Sequence, residues 1–192
     1  MSTHDQPSDE TGRGFTLRGA EPSDAAGMLA IYGPIVRTTA ISFELDPPSV
    51  EEFAERIART LETHPWLVCE GDEGVLGYAY ATSHRGRPAY QWSTESSVYV
   101  ASGHQRRGVA QLLYTELFER LRSAHFFNVF AGVTLPNEPS IRLHRSFGFE
   151  PVGTFRKVGY KVGAWHDVAW FGLRIQPTEE HPDHPPGVTM VP

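Results

Sequence analysis

The chain has a single cysteine among its 192 residues. One cysteine allows no internal disulfide and no cluster of thiolate metal ligands. Cys69 stands in the apolar run 66–70, a pattern typical of a strand. We therefore expect a buried, unreactive thiol there rather than a nucleophile.

The chain also lacks an excess of positive charge and any long apolar run. Its 17 Lys and Arg residues stand against 23 Asp and Glu residues, so the formal net charge is −6. Nucleic-acid binding is not expected, because no basic stripe offsets this balance. No segment approaches the length of a membrane span, and the polar residues 1–14 lack the apolar core of a signal peptide. We expect a soluble, cytoplasmic protein without a membrane partner.

The length and the 40% apolar composition are sufficient for one well-packed domain. We predict a domain over residues 15–175, a flexible N-terminal tail over 1–14 and a Pro-rich C-terminal tail over 176–192. The C-terminal segment holds five prolines and acidic residues, a composition that disfavours packing and regular structure. His181 and His184 could bind a metal, but the composition favours a tail, and we predict no metal site.

Hydrophobic periodicity predicts alternating strands and helices. Ser49 and Glu52 have the spacing of a helix-starting capping box, and Gly148 is placed to end a short helix. The predicted strands cover 15–20, 66–70, 75–81, a segment ending at 100, 128–135, 150–157 and 167–175, and the predicted helices begin near 22, 49, 108 and 138. The strand that ends at 100 leads through a helix to the next strand, which predicts a parallel pair.

An anion site is indicated where that strand leads into the helix. The helix should begin near Gly108, so its first backbone N–H groups lack partners and point into the preceding loop. Gly108 and Ala110 keep side chains away from these donors, and Arg106 and Arg107 add positive charge. Arginines before a helix are more often solvated surface charge, and the segment fits neither the Walker nor the dinucleotide-binding pattern.

These residues and their order resemble the GNAT superfamily of acetyl-CoA-dependent N-acetyltransferases. Its pyrophosphate loop follows a Gln/Arg-x-x-Gly-x-Gly/Ala pattern, which residues 105–110 match. Similarity to the phosphinothricin N-acetyltransferase family rests on Tyr-x-Trp-x-Thr-Glu-Ser-x-Val-Tyr-Val at 90–100, His-Gln-Arg at 104–106, Leu-Pro-Asn-x-Pro-Ser at 135–140, His144, and Trp-His-Asp at 165–167. Those enzymes acetylate the amino group of small amino-acid analogues such as phosphinothricin or methionine sulfoximine.

The resemblance covers about residues 15–175 and implies an α/β (α+β) fold of the GNAT type. A central mixed, mostly antiparallel sheet would be flanked by about four helices, with a parallel strand pair at the acetyl-CoA site. It also implies a homodimer. Residues 165–167 are expected to shape the entry of a strand or a dimer contact rather than to do chemistry.

The resemblance implies two catalytic residues. Glu95 corresponds to the family's general base, which acts directly or through a water, because only a neutral amine has the lone pair needed for attack. His144 takes the place where many GNAT enzymes carry a tyrosine acid near the CoA sulfur. It is expected to act as acid, as second base or as an orienting residue, and a packed structural histidine is the alternative.

The resemblance also implies a set of acetyl-CoA contacts. Backbone groups of the strand would bind the pantetheine, with a main-chain N–H near Val100 polarising the acetyl carbonyl. Asn137 would hydrogen-bond the pantetheine arm, although a simple turn residue is the alternative. The implied cofactor-binding residues are Val98, Tyr99, Val100, Gln105, Arg106, Arg107, Gly108, Val109, Ala110, Gln111 and Asn137.

An acceptor that carries a carboxylate calls for cations and aromatic walls. The polar segment 82–93 is predicted to be a loop of the kind that contacts ligands, and it holds His84, Arg85, Arg87, Tyr90 and Trp92. We expect the substrate to meet Arg85, Arg87, Phe43, Tyr80, Tyr90 and Trp92. Loop arginines are by default solvent-exposed, and Tyr80, in an apolar strand, is the candidate that could be plain core.

The sequence thus predicts an enzyme that N-acetylates a free amino acid or a close analogue by direct attack in a ternary complex. One alternative is a GNAT enzyme acting on another amine, such as a polyamine, an antibiotic or a protein N-terminus. The other alternative is a CoA-binding sensor without turnover, against which Glu95 and the intact loop 105–110 argue.

Overall fold

The computed structural model describes residues 9–11, 14–178 and 183–185. They form eight strands and four α-helices. The strands are β1 (Asp9–Thr11), β2 (Phe15–Gly19), β3 (Trp66–Gly71), β4 (Gly74–Ser83), β5 (Ser93–Val100), β6 (Asn128–Thr134), β7 (Glu150–Lys161) and β8 (Ala164–Arg174). The helices are α1 (Ala25–Thr38), α2 (Val50–Leu61), α3 (Val109–Ser123) and α4 (Glu138–Ser146).

All eight strands lie in one sheet, in the order β1-β2-β3-β4-β5-β6-β8-β7. Neighbouring strands are antiparallel except for β5 and β6, which are parallel and joined through α3. This confirms the predicted mixed, mostly antiparallel sheet with one parallel pair and four helices. β1 extends the sheet beyond the predicted start of the domain at residue 15.

Two helix boundaries follow from local chemistry that the sequence displays. The Ser49 hydroxyl accepts a hydrogen bond from the Glu52 N–H at 3.1 Å, and the Glu52 carboxylate accepts from the Ser49 N–H at 2.8 Å, so the predicted capping box forms. Gly148 follows α4 with a φ of 87°, a left-handed conformation that glycine adopts without strain.

The sheet is covered on both faces, because successive side chains of a strand point in opposite directions. On one face α3 packs with Leu113 and Leu117 against Leu67, Ala79 and Val129. On the other face α1 and α2 pack with Met28, Val36, Phe53 and Ile57 against Trp66 and Tyr78. The fully buried Cys69 belongs to the first core, and burial raises the pKa of its thiol to about 11.

The last two strands are longer than predicted. β7 continues to Lys161 and β8 begins at Ala164. Between them Val162 and Gly163 form a two-residue turn, in which both adopt positive φ, 50° and 74°. Such a turn suits the twist of a hairpin. Valine rarely takes this conformation, so the sequence carries no usual signal for it.

None of the helices that the structure describes is long and apolar enough to cross a membrane. The described residues also contain no group of three or more His, Cys, Asp or Glu side chains that could hold a metal ion. His181 lies outside the described residues.

We expect the fold to lose stability in mild acid through His64. Its buried ring packs on Phe126 with ring centroids 5.0 Å apart, and burial lowers its pKa from 6.5 to about 4. Between these values the unfolded chain binds the extra proton, so the free energy of unfolding should fall by about 2.5 kcal/mol as pH drops from 6.5 to 4. Denaturant unfolding at several pH values measures this.

The His64→Gln variant should show a smaller fall over the same range. His125→Asn, a change at an exposed histidine, is the matched control and should retain the profile of the original protein. An unchanged profile in His64→Gln would show that the burial of this ring does not govern acid stability.

Candidate active site

The sheet opens between its two parallel strands. Their register holds for three pairs, the last of which joins Glu95 and Phe130. β5 continues to Val100 while still paired with β4 on its other side, and β6 continues to Thr134 paired with β8. The β6-facing backbone edge of residues 96–100 therefore lies along an opening and can hydrogen-bond an extended ligand.

The N-terminus of α3 follows this opening and has the features of an anion site. Gly108 precedes the helix with a φ of 88°, and no side chain caps the helix start. The first backbone bond of the helix runs from the Leu112 N–H to the Gly108 carbonyl at 3.0 Å. The N–H groups of Val109, Ala110 and Gln111 therefore point outward, where the helix dipole favours a negative group.

The two arginines of this loop differ in their surroundings. Arg107 donates to His104 Nδ1 at 3.0 Å and lies over the Phe15 ring at 5.3 Å, while His104 Nε2 faces Glu73 at 3.2 Å. The exposed Arg106 has no recorded hydrogen bond or ion pair to the described residues. Arg107 therefore has a clear structural role, and Arg106 is the side chain available to a ligand.

Glu95 lies at the point where β5 and β6 separate. Its side chain is 30% exposed, and its Oε1 lies 3.0 Å from His84 Nδ1 and 3.9 Å from Arg85 Nη1. A carboxylate between a hydrogen-bond donor and a cation, partly open to solvent, can take a proton from a nearby amine. His84 is a contact partner that sequence reasoning did not single out, although it placed the residue in the ligand loop.

Of the predicted acceptor residues, Tyr80 lies on β4, and the others lie on the loop between α1 and α2 and on the loop between β4 and β5. Tyr80 stacks on Trp66 with centroids 4.1 Å apart and hydrogen-bonds Ser97, and burial raises its pKa. Arg87 and Tyr90 lie on the exposed loop, and the Tyr90 ring is 6.0 Å from that of His84. Tyr80 thus packs as part of the half-buried core, and its contact with substrate stays a prediction.

Phe43 lies on the loop between α1 and α2 and contacts the β7–β8 hairpin. Its ring lies against Gly159, where a Cβ would overlap it, and 6.4 Å from the His166 ring. The same hairpin supplies the buried Lys161, whose Nζ donates to the Ser42 carbonyl at 2.6 Å. The hairpin therefore fixes the position of the loop that carries Phe43.

Trp92 faces a different neighbour from the other predicted acceptor residues. Its Nε1 donates to the Asp183 carbonyl at 2.8 Å, and its ring is 5.5 Å from that of His184. Part of the predicted tail thus packs on the domain, in spite of its composition. The indole N–H of Trp92 is therefore already used within the protein, and its contact with substrate stays a prediction.

His144 lies on the opposite face of the sheet from Glu95. Its Nε2 is 3.2 Å from the Tyr114 hydroxyl, which accepts from Ser96, the neighbour of Glu95 on β5. His144 Nδ1 is 2.8 Å from the Ser140 carbonyl, so this nitrogen carries a proton. Burial lowers the pKa of His144, which favours a neutral ring. The Tyr114 hydroxyl, which links His144 to Ser96, is a second contact that the sequence did not indicate.

Asn137 begins α4. Its Oδ1 accepts from the Ser140 N–H at 3.2 Å, a normal N-cap bond. The side-chain carbonyl is thereby used in the helix start, whereas the Nδ2 group can still donate to a ligand.

Comparison with known proteins places this arrangement in a family. Residues 17–170 match the model of the acetyltransferase (GNAT) domain. The chain belongs to the GNAT acetyltransferase family. It is 38% identical to the phosphinothricin N-acetyltransferase of Streptomyces viridochromogenes, with 83% of this chain and 87% of that protein aligned. The protein is accordingly an N-acetyltransferase of the phosphinothricin acetyltransferase type.

Two further relatives extend the comparison. The L-methionine sulfoximine/L-methionine sulfone acetyltransferase of Salmonella typhimurium is 32% identical over 87% of this chain and 96% of its own. A phosphinothricin acetyltransferase from Sinorhizobium meliloti, solved in complex with acetyl-CoA, has a TM-score of 0.81 and 32% identity, covering 87% of this chain and 95% of that one. These similarities confirm the predicted GNAT-type fold.

The residues present fit acetyl-CoA. The uncapped start of α3 offers backbone donors for a pyrophosphate, and the open edge of β5 offers hydrogen bonds for an extended pantetheine arm.

We expect Gly108→Ala to weaken CoA binding. An alanine at a φ of 88° costs about 1–2 kcal/mol, and relief of that strain would turn the α3 N–H groups away from the phosphates. The Kd for CoA, measured by calorimetry, should rise by about tenfold. Gly103→Ala is the matched control, because its added Cβ would meet nothing within 4 Å and should leave the Kd unchanged. Equal affinities in both variants would contradict the assignment.

Proposed function

We propose that this N-acetyltransferase transfers the acetyl group of acetyl-CoA to the amino group of a small amino-acid analogue. The substrate class is that of phosphinothricin, methionine sulfoximine and methionine sulfone, the compounds for which its relatives are named. The observation that carries the proposal is the position of Glu95. Its partly exposed carboxylate stands where the sheet opens, with a guanidinium 3.9 Å away.

In this proposal Glu95 acts as the general base. An amino-acid ammonium has no lone pair for attack, and removing its proton at neutral pH costs about 3–4 kcal/mol. Glu95 Oε1 is engaged by His84 and Arg85. The second oxygen has no recorded hydrogen bond among the described residues, and we assign the proton transfer to it, directly or through one water.

The residues from β5 to the start of α3 would hold acetyl-CoA, which supplies the thioester that the amine attacks directly in a ternary complex. A backbone N–H near Val100 would polarise the acetyl carbonyl. The N–H groups of Val109, Ala110 and Gln111, together with the Arg106 side chain, would hold the pyrophosphate. The Asn137 amide would donate to the pantetheine arm, because its Nδ2 group is not used by the helix cap.

Of the three roles open to His144, we propose the orienting one. Its Nδ1–H is tied to the Ser140 carbonyl, and its Nε2 accepts from the Tyr114 hydroxyl. Burial favours the neutral ring, so neither nitrogen holds a proton that is free to leave. The ring supports Tyr114, and through it Ser96, at the opening of β5.

The acceptor carboxylate would bind Arg85 or Arg87, both on the loop beside Glu95. Phe43, Tyr80 and Tyr90 would form the apolar walls of the site. We assign Trp92 a supporting role for the loop rather than a direct substrate contact, since its indole N–H donates to the Asp183 carbonyl. A polyamine or peptide substrate is the alternative that the assay below distinguishes.

We also propose a cytoplasmic homodimer. Acetyl-CoA is an intracellular metabolite, which supports the location. The outer strand β7 pairs only with β8 among the described strands. Its hairpin exposes large apolar side chains, a pattern typical of a protein interface. These are Val152, Phe155, Val158, Tyr160, Val162 and Trp165.

The function is tested by a thiol-release assay with acetyl-CoA and a panel of amines. We expect turnover of phosphinothricin, methionine sulfoximine or methionine sulfone, and little turnover of polyamines or peptides. Glu95→Gln should lower kcat at neutral pH by about a hundredfold or more, since a positioned base contributes about 10²–10⁴. Glu119→Gln makes the same substitution at an exposed carboxylate on α3 and is the control.

Turnover confined to polyamines or peptides would reject the proposed substrate class. Full activity of Glu95→Gln on an accepted amino acid would instead remove Glu95 as the base while leaving the substrate class intact. Tight CoA binding without turnover of any amine would favour the alternative function of a non-catalytic CoA-binding sensor.

The dimer is tested by light scattering after size exclusion. The wild-type protein should have twice the chain mass of 21.4 kDa. Val158→Asp should shift the mass toward the monomer, because it places a charge on the apolar hairpin. Val50→Asp, at an exposed valine on α2, should leave the mass unchanged. A monomeric wild-type protein would rule the dimer out.

A further inference from the structure

We propose that His84 is the positioning residue of Glu95. It holds Oε1 of the carboxylate by a hydrogen bond and so turns Oε2 toward the amine. The inference rests on the proposed function, in which Glu95 is the base, and adds a residue that acts through it.

The backbone brings His84 to this position. It directly follows β4, and its N–H donates to the Ser93 carbonyl at 3.4 Å, across from the first residue of β5. The side chain, 14% exposed, then reaches Glu95 with an Nδ1 to Oε1 distance of 3.0 Å. Because a carboxylate oxygen accepts, Nδ1 is the protonated donor.

Three aromatic rings hold the imidazole in one orientation. It stacks on Phe130 with centroids 4.4 Å apart and planes 26° apart. The rings of Tyr90 and Trp170 stand edge-on, with centroids at 6.0 Å and 6.3 Å. Phe130 is also the partner of Glu95 in the last pair of β5 and β6. The histidine ring is therefore fixed at the point where the two strands separate.

The arrangement limits how the carboxylate can turn. Arg85 Nη1, on a half-exposed side chain, lies 3.9 Å from the same Oε1. The N–H groups of His84 and Arg85 thus both face Oε1, whereas Oε2 accepts no hydrogen bond from the described residues. A base held in this way presents one lone pair in a constant direction, which is the condition for efficient proton transfer.

The experiment compares two substitutions at this position. His84→Phe keeps a ring that can stack on Phe130 but loses the N–H donor. His84→Asn loses the ring but has an amide N–H close to the position of Nδ1. We expect kcat for the accepted amine to fall by about tenfold to a hundredfold in His84→Phe, with the KM for acetyl-CoA unchanged. His84→Asn should recover most of that loss, which a purely structural role of the ring would not produce.

A double-mutant cycle separates positioning from an independent effect. In the Glu95→Gln background, His84→Phe should cause no further fall in kcat, since the base that it orients is gone. Equal falls in both backgrounds would overturn the inference, as would an unimpaired His84→Phe or a His84→Asn as slow as His84→Phe.

A spectroscopic measurement addresses the hydrogen bond without turnover. The ¹⁵N shifts of the imidazole should show Nδ1–H in the wild-type protein, and Glu95→Ala should shift the ring toward the Nε2–H tautomer. An Nε2–H tautomer in the wild-type protein would overturn the inference. Full activity of Glu95→Gln would count against the proposed base, whereas an impaired Glu95→Gln beside a normal His84→Phe would count against His84 alone.

Discussion

The candidate active site depends on the early end of the pairing between β5 and β6. Parallel strands in a closed sheet use both backbone edges, and no ligand could approach them. Here the ladder stops at Glu95 and Phe130, while β4 and β8 still hold the outer edges. The separated strands thus keep their hydrogen bonds to β4 and β8, and their inner edges are left open to a ligand. α3 connects the two strands and begins at this opening, so its uncapped N-terminus contributes an anion site to the same place.

The alternation of side chains along β5 separates the chemistry of the two faces. Glu95 points to the face of α1 and α2, the face that also carries Tyr80 and Tyr99. Ser96 points to the face of α3, where it meets Tyr114 and His144. Glu95 and the buried His144 thus lie on opposite faces of the sheet, linked through Ser96, the backbone neighbour of Glu95, and through Tyr114. This division is the reason for proposing an orienting role for the neutral, doubly hydrogen-bonded histidine and the proton transfer for the partly exposed Glu95.

The fold could be predicted largely from the sequence because its signals are local. The Ser49 capping box, the Gly108 helix start and the Gly148 helix end each depend on residues a few positions apart. The site could be predicted only in part, because several decisive contacts join distant segments. The sequence makes Arg106 and Arg107 equal candidates for phosphate binding, yet in the structure Arg107 already contacts Phe15 and His104. The Trp92 contact with Asp183 and the Val162 turn also lack any usual local signal.

Cofactor binding and acceptor selection also differ in whether they depend on local structure or on contacts between distant segments. Acetyl-CoA would be held mostly by backbone groups of β5 and α3, whose positions follow from the sheet and tolerate many side chains. The acceptor would be held by side chains on loops, and their positions depend on contacts such as Phe43 with the β7–β8 hairpin and His84 with Phe130. Relatives that share the backbone arrangement can therefore differ in the amine they accept. For the same reason, substitutions in the loop around His84 are the ones with which to measure the amine specificity of this chain.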